Sequence, residues 1–285
     1  MSAPSVLIAG CGDVGGRLAT QLLALGWEVH GLRRDISRLP EGVIGVAGDL
    51  FNEDCPATWP IGAVDYLVYC AAATDHDEAG YRAAYVQGLQ HVLGWLDDYG
   101  QVPERLLFVS SSSVYGQQEG EWVDETSPAV AAGYSGRVML EAEQIALKSG
   151  IPASIVRLTG IYGPGREWLL TQVRRGYRVA VDPPLYANRI HADDAAGLMA
   201  FLLEAARRGV ALEDVYIGVD DAPAALADVV GWLREYLGVT EWADDASVRR
   251  TGSKRCSNAR AKALGWAPKY PSFREGYAAI IDGRC

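Results

Sequence analysis

A glycine-rich loop between an apolar strand and an amphipathic helix constrains this chain more than any other feature. The loop, residues 10–15, reads GCGDVG and fits the pattern GxGxxG. It follows the apolar run of residues 6–9. The stretch after it carries apolar residues at helical spacing, namely Val14, Leu18, Leu22 and Leu25. The pattern is weak alone, but between a strand and a helix it is typical of the first turn of a dinucleotide-binding sheet.

Each glycine of the loop has its own expected part. Gly10 allows a tight turn, Gly12 lets the backbone approach a pyrophosphate, and Gly15 lets the helix pack on the strand. The helix N-terminus offers amide groups and a partial positive charge to phosphate oxygens. We therefore predict that Asp13 and Val14 join the three glycines in binding a cofactor. The alternative is a glycine-rich turn that holds no ligand.

The hydrophobic pattern predicts an α/β fold with two parts. Strands are expected at residues 28–32, 43–47, 64–70, 105–109 and 153–158, and helices at about 14–25, 81–99, 135–148, 193–206 and 224–237. This alternation is typical of a Rossmann-type, doubly wound parallel sheet. We assign the sheet to residues 1–158, with a later strand and helix near 186–220 returning to it. A smaller C-terminal α+β lobe, residues 159–285, is predicted to bind the substrate.

The amino-acid composition argues against several classes of binding partner. Asp and Glu number 36 against 26 Lys and Arg, giving a net charge of −10, which argues against a nucleic-acid partner. We recognise no membrane span and no signal peptide. The five cysteines are scattered without a CxxC motif, so we expect reduced thiols in the cytoplasm and no metal site.

The residues after the second predicted strand favour NADP(H) over NAD(H). Arg33 and Arg34 stand where an NAD-preferring loop would carry an acidic residue, and a guanidinium suits a 2′-phosphate. Both arginines could instead be solvated loop charges, with Asp35 as a ribose acceptor. After the third strand, Asp49 could accept from the adenine amino group or could cap its own turn. Leu50 beside it is a further predicted cofactor contact.

Other segments resemble the extended short-chain dehydrogenases/reductases, in the branch of the NAD-dependent epimerases/dehydratases. The segments are residues 108–116 (FVSSSSVYG), 157–165 (RLTGIYGPG) and 189–194 (RIHADD). Residues 70–73 (CAAA) stand where that family covers the cofactor after its fourth strand. The resemblance spans about residues 6–220 and implies cofactor contacts at Ala71, Ala72 and Ser110.

The resemblance also implies a catalytic serine and a tyrosine in a YxxxK motif. Ser111 matches the serine, and Tyr134 matches the tyrosine. The residue four positions further on is Val138, however, and an alignment anchored on residues 140–143 puts Met139 at the lysine position instead. The lysine is missing either way. Its positive charge is what would lower the pKa of the tyrosine and let the phenol exchange a proton.

Three interpretations of this loss compete. Arg137 could lean toward Tyr134 and lower the pKa of its phenol, or Tyr115 could act with Ser111 as an alternative acid/base pair. Otherwise hydride chemistry is weak or absent and only cofactor binding is kept, as in atypical members of the family. We favour the third interpretation.

On the substrate side, the resemblance implies contacts at Ser113, Tyr162, Arg166, Arg189 and His191. His191 could carry a proton, but we prefer a structural, hydrogen-bonded histidine. Four cations concentrate near the C-terminus and could grip a nucleotide diphosphate or lie in a solvated loop; they are Arg249, Arg250, Lys254 and Arg255.

The sequence thus predicts an NADP-binding oxidoreductase or epimerase-like protein that acts on a nucleotide sugar or a similar polyol. Whether it is an enzyme is left open, because the active site is degenerate. The alternative is a non-catalytic NADP(H)-binding sensor or regulatory protein. A homodimer is left open as well.

Overall fold

The computed structural model describes residues 3–243 and 252–285. The strands are β1 (Ser5–Ala9), β2 (Glu28–Arg33), β3 (Ile44–Ala47), β4 (Tyr66–Tyr69), β5 (Arg105–Ser111), β6 (Glu121–Val123), β7 (Ala153–Leu158), β8 (Gly160–Tyr162), β9 (Tyr186–Ala187), β10 (Arg189–His191), β11 (Val215–Gly218), β12 (Ala224–Ala225) and β13 (Lys254–Cys256). The α-helices are α1 (Asp13–Ala24), α2 (Glu78–Tyr81), α3 (Gly88–Asp98), α4 (Tyr134–Leu147), α5 (Trp168–Arg174), α6 (Ala192–Arg207), α7 (Leu226–Leu237), α8 (Ala259–Ala263) and α9 (Phe273–Ile281). Short 3₁₀ turns cover Ile36–Arg38 and Ser112–Val114, and a π-helical turn covers Arg82–Gln87.

Seven strands form one sheet in the order β11-β7-β5-β4-β1-β2-β3. The pairings from β3 across to β5 are parallel, with Val6 level with Val29 of β2 and with Tyr66 of β4. The chain runs outward through β2 and β3, then returns to β4 and continues outward on the other side. The strand order therefore reverses between β1 and β4, where ligands of open α/β sheets bind.

The central strands are apolar because both faces of the sheet are covered. All five residues of β1 and all four of β4 are buried. The prediction of a doubly wound parallel sheet is confirmed. The sequence pattern missed α5 and α9, because the stretch after residue 160 offers short apolar segments between prolines rather than long periodic ones.

The helix predicted at 81–99 exists but is not uniform. It begins with α2, passes through the π-helical turn Arg82–Gln87, and continues as α3. A π turn holds one residue more than an α turn, and such turns are frequent at functional sites. Periodicity alone could not show this interruption.

Contacts divide the chain into two compact units. The first unit comprises Met1–Val114, Ala129–Arg157 and Ala196–Tyr216, and the second comprises Tyr115–Pro128, Leu158–Ala195 and Ile217–Cys285. The second unit has its own core, built on Tyr162, Leu170, Val173, Tyr177, Val229, Val230, Leu233, Phe273 and Tyr277. Among the described residues, every helix is too short or too polar for a membrane crossing.

Candidate active site

The glycine loop leaves no room for side chains at two of its three glycines. Gly10 has a φ of +90°, and a Cβ there would stand 2.6 Å from the backbone of Ala71. A Cβ on Gly15 would stand 2.8 Å from the carbonyl oxygen of Gly10. Around Gly12, by contrast, the nearest atom to such a Cβ is 4.0 Å away. Gly10 and Gly15 are thus required by the chain itself, whereas the side of Gly12 is open for a ligand to approach.

The first turn of α1 is arranged for an anion. Its N-cap residue is Gly12, which has no side chain to cap the amides of that turn. The first amides of any α-helix have no acceptor within the helix, and the helix dipole adds positive potential there. The carboxylate of Asp13 pairs with Arg17 at 2.9 Å, one turn along the helix. We call the loop of Gly10, Gly12 and Gly15 with the first turn of α1 the cradle. It fits the diphosphate of a dinucleotide.

Arg33, at the end of β2, lies against the glycine loop. One guanidinium nitrogen donates to the carbonyl of Cys11 and to that of Arg38, each at 3.2 Å. The carboxylate of Asp35 is used within its own turn, where it accepts from the amide and the hydroxyl of Ser37. The Ser37 hydrogen bond lowers the pKa of Asp35. The guanidinium, rather than the carboxylate, is therefore the charged group held beside the loop, and Arg34 is exposed next to it.

The remaining predicted cofactor residues lie at neighbouring strand ends. The carboxylate of Asp49 accepts from the amide of Phe51 at 3.1 Å, which is the turn-capping contact that the sequence left open. The carbonyl of Leu50 is held by a ring nitrogen of His91 at 2.8 Å. Ala71 packs on Gly10, and Ala72 after it is exposed.

At the end of β5 the serines point in different directions. Ser110 is buried, and its hydroxyl donates to Glu143 of α4 at 2.6 Å. The hydroxyl of Ser111 accepts from the amide of Ser113 at 3.2 Å, inside the serine turn. Helix α4 begins directly against this turn, because a Cβ on Gly136 would stand 2.3 Å from the carbonyl oxygen of Ser113.

A buried ion pair, which the sequence analysis missed, fixes α4 to the sheet. Arg157 of β7 meets Glu143 with two hydrogen bonds, at 2.9 and 2.7 Å, and the exposed fractions of the two residues are 6% and 2%. Together with Ser110 the pair joins α4, β5 and β7. The signal that could have found it is a charged residue, Arg157, at the end of an otherwise apolar predicted strand.

Both positions at which the family's lysine could stand are buried, and the side chains of Tyr134 and Arg137 bind other groups. Val138 and Met139, the two positions where the lysine could stand, are 2% and 3% exposed. The phenol of Tyr134 donates to the carbonyl of His76 at 2.5 Å. Arg137 donates to the carbonyl of Ala132 at 3.4 Å, back along its own chain. Arg137, which one of the three interpretations would turn toward the phenol, is therefore hydrogen-bonded near the start of α4 instead.

Tyr115, the alternative acid/base residue, belongs to the second unit. It is 3% exposed, and its phenol donates to the carbonyl of Asp124 at 2.9 Å. Its own carbonyl accepts from the ammonium group of Lys254 at 3.0 Å. Proton exchange by this phenol would first require the contact with Asp124 to break.

The sequence analysis assigned no place in the site to two tyrosines, Tyr81 at the end of α2 and Tyr85 on the π turn. The ring of Tyr81 lies 5.3 Å from that of Tyr85 and 5.5 Å, edge to face, from that of Tyr134. The oxygen of Tyr85 accepts from the amide of Ala73 at 3.4 Å. Burial raises the pKa values of Tyr81 and Tyr85, so both phenols hold their protons.

Most of the predicted substrate contacts lie inside the second unit. Tyr162, Arg189 and His191 are at most 5% exposed, and the ring of Tyr162 stands edge to face against His191 at 5.3 Å. This burial favours the structural role that we preferred for His191 over proton transfer. Arg166 is exposed, and Ser113, in the first unit, is partly exposed. All five assignments stay predictions.

The C-terminal cations divide between described and undescribed residues. Arg249 and Arg250 lie outside the described residues. Lys254 is buried on the carbonyl of Tyr115, and Arg255 donates to the carbonyl of Gly120 at 2.7 Å. The latter two therefore have partners within the protein, which weakens their case as a diphosphate clamp.

Among the described residues of the second unit, the buried polar atoms without a hydrogen-bond partner include the hydroxyl of Tyr162, one guanidinium nitrogen of Arg189 and one carboxylate oxygen of Asp220. Asp220 is 2% exposed, and its amide donates to the carbonyl of Arg189 at 2.9 Å. Burial raises the pKa of Asp220 to about 7, although the charge of Arg189 opposes the shift. Within residues 3–243 and 252–285, no three His, Cys, Asp or Glu side chains are grouped as metal ligands.

Comparisons with known proteins agree with this geometry. Residues 6–218 match the model of the NAD dependent epimerase/dehydratase family. A solved structure from Methylobacillus flagellatus, assigned to the NAD-dependent epimerases/dehydratases, is 35% identical with a TM-score of 0.81 over 99% of each chain. Protein YeeZ of Escherichia coli K12 is 29% identical over 215 residues, 72% of this chain and 74% of YeeZ. The 3-diazoavenalumate denitrifying reductase of a Streptomyces species is 26% identical, over 95% of this chain and 98% of the reductase.

Proposed function

This chain belongs to the NAD dependent epimerase/dehydratase family, and from that membership we propose that it is an NADP(H)-dependent reductase of the extended short-chain type. The observation that carries the proposal is the cradle of Gly10, Gly12 and Gly15 with the guanidinium of Arg33 beside it. The helix amides bind the diphosphate, and the arginine binds the 2′-phosphate. Bound there, NADPH would supply a hydride.

We infer the direction of reaction from the protonation state of the tyrosine phenols. No lysine stands one turn after Tyr134, and the positions where it could stand are apolar and buried. A phenol such as that of Tyr85, whose pKa is raised by burial, donates a proton at neutral pH but does not accept one. Reduction of a carbonyl needs a proton donor, whereas oxidation of an alcohol, and therefore epimerisation through a ketone, needs a base. The site is better suited to reduction.

For the substrate we propose the keto form of a nucleotide sugar or of a similar polyol, and for the location the cytoplasm. The resemblance in sequence supports the substrate class, and the scattered cysteines support the location. The name of the Streptomyces reductase agrees with the reaction type. The second candidate is a non-catalytic NADP(H) sensor. The absent lysine favours it, since weak chemistry would leave only cofactor binding.

The cofactor preference is tested by fluorescence titration of NADPH and NADH against the wild type and Arg33→Asp. We expect Arg33→Asp to weaken NADPH binding at least about tenfold more than NADH binding, because only NADPH carries the 2′-phosphate. Arg208→Asp is the control, since it makes the same charge change on an exposed residue at the end of α6. Equal losses for both coenzymes would refute the preference.

Turnover separates the two candidates. The absorbance of NADPH at 340 nm is followed over a panel of keto sugars, nucleotide sugars and simple diketones. Turnover that is lost in Ser111→Ala supports the reductase. Tight NADPH binding without turnover on any member of the panel would contradict it and favour the sensor.

A further inference from the structure

Tyr85 lies where the cofactor side of the sheet is expected. Its phenol oxygen accepts from the amide of Ala73 at 3.4 Å. Ala73 is two residues beyond Ala71, whose backbone stands against Gly10 of the glycine loop. The hydroxyl of Tyr85 is therefore located just beyond the carboxyl end of β4, at the point where the strand order reverses.

The strand order brings this hydroxyl to the same edge of the sheet as Ser111. Strands β4 and β5 are parallel, and Tyr69 is level with Phe108. Strand β4 ends at Tyr69 and β5 ends at Ser111, so the segment of residues 70–73 and Ser111 both lie at the carboxyl-end edge of the sheet. Neighbouring strands of a sheet are about 4.8 Å apart. The hydroxyls of Tyr85 and Ser111 thus lie at the ends of adjacent chains on one edge of the sheet.

In the part of the chain that the structure describes, the proton of the Tyr85 phenol is not donated to another group of the protein. Among residues 3–243 and 252–285, the hydrogen-bond partner of its oxygen is a donor, the amide of Ala73, so the O–H has no acceptor. Tyr134 by contrast donates to His76, and Tyr115 donates to Asp124. Since burial raises the pKa of Tyr85, its proton stays in place at neutral pH.

We propose that Tyr85 is a catalytic residue that, together with Ser111, donates a hydrogen bond to the carbonyl oxygen of the substrate; this rests on the proposed reductase function. Bound NADPH would supply the hydride to the carbonyl carbon, and the π electron pair of the C=O bond would move to oxygen. Tyr85 gives its phenolic proton to that oxygen. The phenolate that remains takes a proton back from water.

The test compares Tyr85→Phe with Tyr81→Phe. Both variants remove one hydroxyl and keep the ring, and Tyr81 lies one turn earlier, with its ring against that of Tyr85. The substrate probe is 1-phenylpropane-1,2-dione with NADPH. We expect kcat to fall about 100-fold in Tyr85→Phe, the scale of a lost general acid. Tyr81→Phe should stay within about twofold of the wild type. Equal rates in the wild type and Tyr85→Phe would overturn the proposal.

A second readout does not depend on turnover. The dione, labelled with ¹³C at its carbonyls, is bound to the protein with NADP⁺, which cannot deliver a hydride, and its C=O stretch is measured by isotope-edited infrared spectroscopy. A hydrogen bond lowers this frequency in the wild type and in Tyr81→Phe, and the shift should become smaller in Tyr85→Phe, where Ser111 is the remaining donor. An unchanged frequency in Tyr85→Phe, or no binding of the dione to the wild type, would overturn the assignment of Tyr85. A shifted band without turnover would support Tyr85 as a donor and contradict the reductase.

Discussion

The carboxyl group of Asp220 should make the stability of the second unit depend on pH near neutrality. Its pKa is raised from 3.8 to about 7, with burial as the main cause. Arg189 opposes this shift, whereas Asp221 and Asp194 add to it, and the phenol of Tyr162 faces the same group. Because the raised pKa favours the neutral acid in the folded state, the stability contributed is complete below about pH 4. It is lost as the pH rises through 7.

The size of the effect follows from the shift. A difference of about 3 pKa units corresponds to about 4 kcal/mol, of which about 2 to 3 kcal/mol should be lost between pH 5 and pH 8. Asn at position 220 has nearly the same shape but no titration. The free energy of unfolding of Asp220→Asn, relative to the wild type, should therefore rise by that amount over the same interval.

The assay is urea unfolding, followed by tryptophan fluorescence at pH 5, 6.5 and 8. Other acids also titrate in this range, so the measured quantity is the difference between the wild type and Asp220→Asn at each pH. Asp221→Asn is the control, because that neighbouring carboxylate reaches Lys262 at the surface, at 2.9 Å. A difference between the wild type and Asp220→Asn that stays constant from pH 5 to pH 8 would refute the reasoning.

Two further substitutions test the buried ion pair and the glycine loop of the first unit. Glu143→Gln should lower the free energy of unfolding by about 3 to 5 kcal/mol, because it leaves a buried arginine without its counter-charge. Glu141→Gln on the same helix, which breaks a half-exposed pair, should cost much less in the same urea titration. Gly10→Ala should abolish NADPH binding and cost more stability than Gly26→Ala. Both glycines have positive φ, but only a Cβ at position 10 would meet backbone; equal losses in melting temperature would contradict this.

The cofactor half of the site could be predicted because its determinants are local. The strand, the glycine loop and the helix occupy adjacent positions in the chain. A Cβ on Gly15 would contact Gly10, five residues earlier, and a Cβ on Gly10 would contact Ala71, just after the neighbouring strand β4. The same holds for Arg33, which follows the second strand directly. Patterns of this kind are visible in one sequence without knowledge of how distant segments meet.

The catalytic half of the site was harder to predict from the sequence, because it depends on how side chains of separate helices and strands are aligned with one another. Tyr85 is brought to its place by a π turn, which changes the direction of the side chains after it and leaves no mark in the hydrophobic pattern. The burial of Tyr162 likewise depends on α9, where a Cβ on Gly276 would overlap its hydroxyl. That helix was not predicted, so an interior tyrosine was interpreted as one that faces a substrate.

The π turn within residues 78–98 has a consequence for how this region tolerates insertions and deletions. Each residue of a helix advances the chain by about 100° around the axis. Loss of a single residue from Arg82–Gln87 would restore a regular α-helix, and local helix propensity would hardly change. Tyr81, which lies before the turn, would nevertheless rotate relative to the buried side of α3. The extra residue thus acts as a spacer that sets the angle between two faces of one continuous helix.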